Sequence, residues 1–168
     1  MTEIRELIKG DDFNDLIELS QEFFQEYELH HKNFFKIDQL KDDDIISYFS
    51  SFCGVESRKS FIAVEGKRIV AYITVYVIEQ AGYWEIKKVG EISGLMVQKD
   101  YRHTGIAKRL LASARDFFKA EAVNYFTVFT AVENRAAIDF YKNNGLIPLY
   151  TTLIGETYNT TDTSFHGK

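Results

Sequence analysis

Cysteine occurs once in the 168 residues, at position 53. A single thiol excludes an internal disulfide and any zinc cluster built from thiolates. Cys53 also lacks a local nucleophile signature, so a small semi-buried residue is the expected reading. Long apolar runs are missing as well, since no stretch approaches the ~20 residues of a membrane-spanning helix. Met1-Thr2-Glu3 has neither the basic start nor the apolar core of a secretory signal, so cytoplasmic residence without a membrane partner is expected. Asn159-Thr160-Thr161 matches a glycosylation sequon, which carries no weight without such a signal. Basic charge is scarce. Lys and Arg number 20 against 25 Asp and Glu, and the first 60 residues hold 14 acids against 7 bases. No nucleic-acid partner is expected, because that binding needs a basic face. The acidic front half suits a cationic amine, although a solvated helix face accounts for most of these acids. No metal is expected either. Asp42-Asp43-Asp44 lacks the alternating ligands and the glycine of a calcium loop, and adjacent His30 and His31 point in different directions on a helix.

What is present centres on Glu91 to Leu111, EISGLMVQKDYRHTGIAKRLL. Its first seven residues are short and mostly apolar, as a buried strand requires, and Ile106, Leu110, Leu111 and Ala114 then repeat at helical spacing. The turn between them feeds a helix N-terminus, whose first N–H groups lack internal partners and carry partial positive charge. Small Gly105 and Ala107 let an anion approach the backbone, and Lys99, Arg102, Lys108 and Arg109 crowd the turn, which makes it a candidate diphosphate cradle. The cradle is neither a dinucleotide fingerprint nor a P-loop, since it holds a single glycine.

The rest of the chain alternates between the two periodicities. A first strand is expected over Thr2–Ile8. A helix capped by Asp11 or Asp12 then carries the stripe Phe13, Leu16, Ile17, Phe23, Phe24 and Tyr27, and a second helix spans Asp42–Phe52. Strands follow at Ser60–Val64, Arg68–Ile78 and Tyr83–Val97, joined by turns at Glu65-Gly66-Lys67 and Gln80-Ala81-Gly82. A helix over 105–119, a strand at Tyr125–Ala131, a helix over Arg135–Lys142 and a strand at Leu146–Ile154 complete the pattern. No repeat or linker divides it, so one domain is expected over residues 1–156, followed by a polar tail at 157–168.

Two motifs in this order carry a family resemblance. Arg102-x-x-Gly105-x-Ala107, preceded by Leu95-x-Val97, resembles the acyl-CoA signature of the GNAT superfamily of N-acetyltransferases. Asn134, Ala137, Phe140-Tyr141 and Gly145-Leu146 resemble its second motif, with Leu146 where phenylalanine is usual. The resemblance implies an α/β (α+β) fold with a mixed central sheet of about six or seven strands and four helices, in the order β-α-α-β-β-β-α-β-α-β. It implies acetyl-CoA as cosubstrate, with no metal, held by Arg102, His103, Thr104, Gly105, Ile106 and Ala107 at the diphosphate. The backbone of Leu95, Met96 and Val97 would pair with the pantetheine arm. Asn134 would hydrogen-bond the same arm or simply cap the following helix.

Interior Gly94 marks a bulge or a close backbone approach. The resemblance implies a bulge here that frees an N–H of Leu95 or Met96 for the thioester oxygen. It also implies Tyr141 as general acid, a phenol protonated at neutral pH, and Glu91 as candidate general base. A surface carboxylate is an equal reading for Glu91, with Glu85 and Glu79 as substitutes. The implied activity is acetyl transfer to a primary amine by direct attack in a ternary complex, because no cysteine nucleophile offers a covalent route. Phe35, Tyr27, Tyr83, Trp84 and the last strand are candidates for the acceptor site. The acceptor, a small molecule or a protein or peptide amine, is left open, and homodimerisation is common in the family without a feature here that fixes it. The alternative is a catalytically silent acyl-CoA-binding sensor or interaction module.

Overall fold

The run from Ile69 to Val75, apolar except for Thr74, can be buried only in a central strand, because successive side chains point to opposite faces of a sheet. In the computed structural model, which describes residues 1–157, all seven residues of that run are buried. The elements are β1 (Glu3–Glu6), α1 (Asn14–Glu28), α2 (Asp42–Ser50), β2 (Arg58–Glu65), β3 (Arg68–Glu79), β4 (Lys88–Val97), α3 (Ile106–Ala120), β5 (Phe126–Val128) and α4 (Arg135–Asn143). A single 3₁₀ turn, Lys99–Tyr101, leads into α3. The strands lie in the order β1-β2-β3-β4-β5, with antiparallel neighbours up to β4 and a parallel pairing of β4 with β5.

Helices cover both faces of this sheet, as its double-sided apolar centre demands. On one face α3 buries Ile106, Leu110, Leu111, Ala114 and Phe118 against Ala71, Ile73 and Val75. On the other, Leu16 and Leu19 of α1 and Ile45 and Phe49 of α2 pack over Ile62, Tyr72 and Met96. Cys53 is buried in this second cluster, where burial pushes its thiol pKa up, so it packs as a small apolar residue.

Among the described residues the expected mixed α/β class and four helices are present, and the strands differ in number and length. Among the described residues the sheet has five strands, because Leu146–Ile154 does not form one. Leu146 packs against the α3-side core, but the chain beyond it is irregular, with Ile147 85% and Leu153 88% exposed. Pro148 lacks an N–H for a ladder, and β5 has only three residues to pair with, against the seven expected over Tyr125–Ala131. Tyr83 to Lys87 belong to a connection rather than to β4. Gln80 N–H donates to the Lys87 carbonyl (2.7 Å), and within that loop Lys87 Nζ donates to the Gly82 carbonyl (2.6 Å). The first strand shrinks to four residues, although Leu7 N–H still reaches the Ser60 carbonyl (2.8 Å). The sequon at Asn159 and the tail from residue 158 lie outside the described residues.

Two cross-strand features of β4 bear on the site. Gly90 is needed for packing, because a Cβ there would come within 2.4 Å of the Phe118 ring. That ring is 2% exposed and stacked on Phe126 at 5.2 Å, so it cannot swing aside. Directly opposite Glu91 on β3 stands Tyr76, whose hydroxyl donates to Glu91 Oε1. Burial, and then the adjoining carboxylate, push the Tyr76 phenol from 10.0 up to about 12.

Gly90→Ala is expected to lower stability by about 1–3 kcal/mol, the usual cost of overpacking, read from the urea midpoint; an unchanged midpoint would mean that the Phe118 ring yields. The raised Tyr76 pKa adds stability that is fully present below pH 10 and lost as pH rises toward about 12, because only the unfolded chain releases the proton in that window. Urea midpoints should therefore fall between those values, and fall less steeply in Tyr76→Phe. Equal slopes in the two proteins would contradict the pairing.

Candidate active site

Thr74 pairs with Gly94 and Val75 with Ile92, so Ser93 is the extra residue of a β-bulge in β4. Its hydroxyl donates to Thr74 Oγ1 (2.8 Å), and the Tyr48 hydroxyl from α2 lies 3.0 Å from Thr74 Oγ1 and 2.9 Å from Ser93 Oγ. Three hydroxyls thus lock the bulge from the α2 side. Glycine suits position 94, where a Cβ would press on Thr74 Oγ1 at 3.2 Å and on the Tyr72 ring at 3.3 Å. Pairing with β5 ends one residue before the bulge, at Ile92–Val128, so Leu95, Met96 and Val97 have no strand on their outer edge among the described residues.

Alternation along that edge assigns its amides. Gln98 N–H donates inward to the Val70 carbonyl (2.9 Å), so the Met96 N–H also points toward β3, while those of Leu95 and Val97 point outward. Of the two donors considered from the sequence, Leu95 faces the open edge.

The turn that follows is lined with free amides. His103 and Gly105 both take left-handed conformations, with φ of 64° and 86°, the first uncommon for a residue with a Cβ. Among the described residues, no backbone carbonyl accepts from the N–H groups of His103, Thr104, Gly105, Ile106, Ala107 or Lys108. Such a succession of amides leading into a helix N-terminus makes an anion-binding concavity. Ile106 anchors it in the core at 3% exposure, while Gly105 lies open to solvent.

Arg102 supports this turn rather than projecting from it. Its Nε donates to the Val97 carbonyl (2.9 Å), and its guanidinium pairs with Glu26 (2.8 Å) and Glu22 (3.5 Å) of α1. Lys99 pairs with Glu22 at 3.5 Å and with Glu26 at 4.0 Å.

A cleft of about 470 Å³ opens between α1, α2, the bulge and the end of β5. Its walls are aromatic, with Phe23, Phe24 and Tyr27 from α1, Tyr48 from α2, Tyr72 from β3, and Phe129. Glu91, Ile92, Ser93 and Gly94 form the β4 side. Tyr141 lies across the sheet, 7% exposed, in the cluster that holds Ile92 and Ile106 and that Leu95 and Val97 pack against. Burial raises its phenol pKa, so the hydroxyl keeps its proton at neutral pH. Asn134 caps α4, its Oδ1 accepting from the Ala137 N–H at 3.2 Å.

The fold therefore gathers the sequence-derived residues around the gap between β4 and β5: Glu91 on the cleft side, Leu95 to Val97 on the edge, and the 102–107 turn at the end of the strand. Of the expected acceptor-site residues, Tyr27 lines the cleft. Phe35 meets the Tyr27 ring edge-on at 4.6 Å without lining the cleft, and Tyr83 and Trp84 project into solvent from the 80–87 connection. Tyr48, Ser93, Thr74 and Tyr76 escaped the sequence reading. The serine beside Gly94 was the only local signal among them, since tyrosines in amphipathic elements look like core.

The similarity of this chain to known proteins agrees with that geometry. Residues 13–146 match the model of the Acetyltransferase (GNAT) family. The chain is 29% identical over 125 residues to N-alpha-acetyltransferase 30 of Saccharomyces cerevisiae, a match covering 70% of this chain and 71% of that protein. It is 31% identical over 86 residues to N-alpha-acetyltransferase daf-31 of Caenorhabditis elegans, covering 50% of this chain and 46% of that one. A mutant of the BH1408 protein from Bacillus halodurans shares the fold with a TM-score of 0.81 at 19% identity, over 93% of this chain and 99% of that one. Aminoglycoside N-acetyltransferase AAC(6')-Iy, solved in complex with CoA, gives a TM-score of 0.74 at 15% identity, over 93% and 94% of the two chains. With a family match across most of its length and the same fold in solved relatives, the chain belongs to the acetyltransferase (GNAT) family.

Proposed function

We propose that the protein is an acetyl-CoA-dependent N-acetyltransferase that modifies a primary amine by direct attack within a ternary complex. The observation that carries this reading is the parting of β4 from β5 after Ile92–Val128, which leaves a strand edge open between an amide-lined turn and an aromatic cleft. Acetyl-CoA supplies an acetyl group already activated as a thioester. The residues present fit it, because the unpaired amides of His103 to Lys108 are a cradle for a diphosphate. The outer edge of Leu95 to Val97 can bond the amides of an extended arm as an added strand would. Arg102 then acts by holding the cradle to α1, and Asn134 by capping α4 while its amide NH₂ stays available to the arm.

In this mechanism the outward N–H of Leu95 polarises the thioester carbonyl. Glu91 receives the proton of the incoming ammonium, directly or through water, with Tyr76 holding the carboxylate in place. The amine nitrogen forms the new bond to the acetyl carbon as the carbon–sulfur bond breaks. Tyr141 gives its proton to the departing sulfur, and its phenolate recovers one, directly or through water, as the acetylated nitrogen sheds its second ammonium proton, so amide and free thiol are the products. Support for these roles comes from the position of Glu91 in the cleft, the burial of Tyr141 beside the edge strand, and the two family motifs. The N-alpha-acetyltransferases and the aminoglycoside N-acetyltransferase similar to this chain carry amine acetylation in their names, which favours an amine over an alcohol or thiol as acceptor.

Tyr141→Phe is expected to lower kcat by about 10²–10⁴-fold, the usual weight of general acid–base catalysis, while calorimetry shows CoA binding within twofold of the parent. Full kcat in that variant, measured as thiol release against a panel of amines, would remove Tyr141 from the mechanism. Glu91→Gln should lose a similar factor and keep CoA affinity. An unaffected rate would pass the base role to another carboxylate or to water.

A further inference from the structure

The cleft assigned to the acceptor carries charge of one sign at two separate places. Among the described residues lining it, the charged ones are Asp44 and Glu91, with no lysine, arginine or histidine. Glu91 is half-buried in β4 just before the bulge, whereas Asp44 is exposed in the first turn of α2. Tyr48 spans the distance between them. It lies four residues after Asp44 on the same face of α2, and its hydroxyl meets Ser93 Oγ at 2.9 Å, two residues from Glu91. The carboxylates are therefore separated by a tyrosine side chain and one helical turn, the latter about 5.4 Å along the axis. Besides Tyr48, the cleft wall is largely apolar and aromatic and includes Phe24, Tyr27 and Ile45.

This arrangement discriminates among amines. A free amino acid would bring a carboxylate into a cleft that offers it no cation and sets it beside two acids. A monoamine would satisfy Glu91 and leave Asp44 unused. A molecule with two ammonium groups joined by several methylenes matches every feature: one cation at Glu91, the apolar chain along the aromatic wall, and the second cation at Asp44 against the aromatic faces. We infer that the acceptor is an aliphatic dication, and that Asp44 is the specificity residue that holds the ammonium which is not acetylated. The inference rests on the N-acetyltransferase reading for the fate of the first amine, but the two-cation site stands apart from it. Asp44 has a helix-end role as well, its Oδ2 accepting weakly from the Lys41 N–H at 3.4 Å, and asparagine preserves that acceptor.

Calorimetry on the full chain, with and without CoA, tests this with 1,4-diaminobutane, pentylamine, 4-aminobutanoate and a tetrapeptide amide with uncharged side chains. Turnover of each with acetyl-CoA is measured in parallel. The diamine should bind about tenfold more tightly than pentylamine, the combined weight of one exposed ion pair and one cation–π contact. 4-Aminobutanoate should bind weakest. Asp44→Asn, with its Tm checked against the parent, should bring the diamine-to-pentylamine ratio close to one. A binding preference that disappears in Asp44→Asn, without turnover of any amine, upholds the two-cation site and defeats the enzyme reading. Equal affinity for the diamine and pentylamine, an unchanged ratio in Asp44→Asn, or tighter binding of the peptide overturns the inference. If pentylamine or the peptide is then acetylated, the enzyme reading survives that loss.

Discussion

A strand with one residue more than its neighbour must reset its alternation, and β4 does so at Ser93. Before the bulge, Gly90 N–H reaches outward to the Tyr125 carbonyl (2.9 Å) and β5 is in register. Past it, the outward donors belong to Leu95 and Val97, and β5 has ended. The same extra residue increases local twist, which separates the two strands where an extended ligand could enter. Tyr48, Thr74 and Ser93 hold this irregularity through hydroxyl contacts of 2.8 to 3.0 Å, so each potentially orphaned polar group at the bulge gains a partner.

Helix α1 ties the two ends of the site together. Glu22 and Glu26 grip Arg102 and Lys99 at the amide-lined turn, while Phe23, Phe24 and Tyr27 of the same helix wall the cleft. Phe23 stacks on Tyr27 at 5.6 Å and Phe35 meets Tyr27 at 4.6 Å, so the wall is a packed group and not a row of loose rings. An anion in the turn and a cation in the cleft would thus lie against the same short segment of α1, residues 22–27. Two acids of the first 60 residues, Glu22 and Glu26, thus do more than solvate a helix face, because they hold basic residues of the turn.

The helices were legible because their apolar stripes are strong. Leu110, Leu111 and Ala114 read as α3 from spacing alone, and all three are buried. The central strand was equally plain from its run of β-branched and aromatic residues. The bulge was legible from Gly94, although not its exact residue. The missing last strand was not. Leu146 to Ile154 has the apolar content of a strand, but Pro148 and a three-residue neighbour leave it without a ladder. Tyr83 and Trp84 likewise have strand-like side chains, and the hydrogen bonds that close the 80–87 connection overrule that preference.

Local chemistry fixed whatever depends on neighbours a few residues apart: the tight turn that holds Gly105, the helix that follows it, the capping capacity of Asn134, and the motif order that marks the family. Periodicity and backbone restriction act over such distances, so they survive in the linear text. The tertiary structure alone decided which side chains meet. It brought Tyr76 opposite Glu91 from fifteen residues away, set Tyr48 on Ser93 across forty-five, and turned Arg102 toward Glu26 across seventy-six. Those contacts depend on strand register and on how α1 and α2 pack over the sheet, and both follow from burial summed over the whole chain.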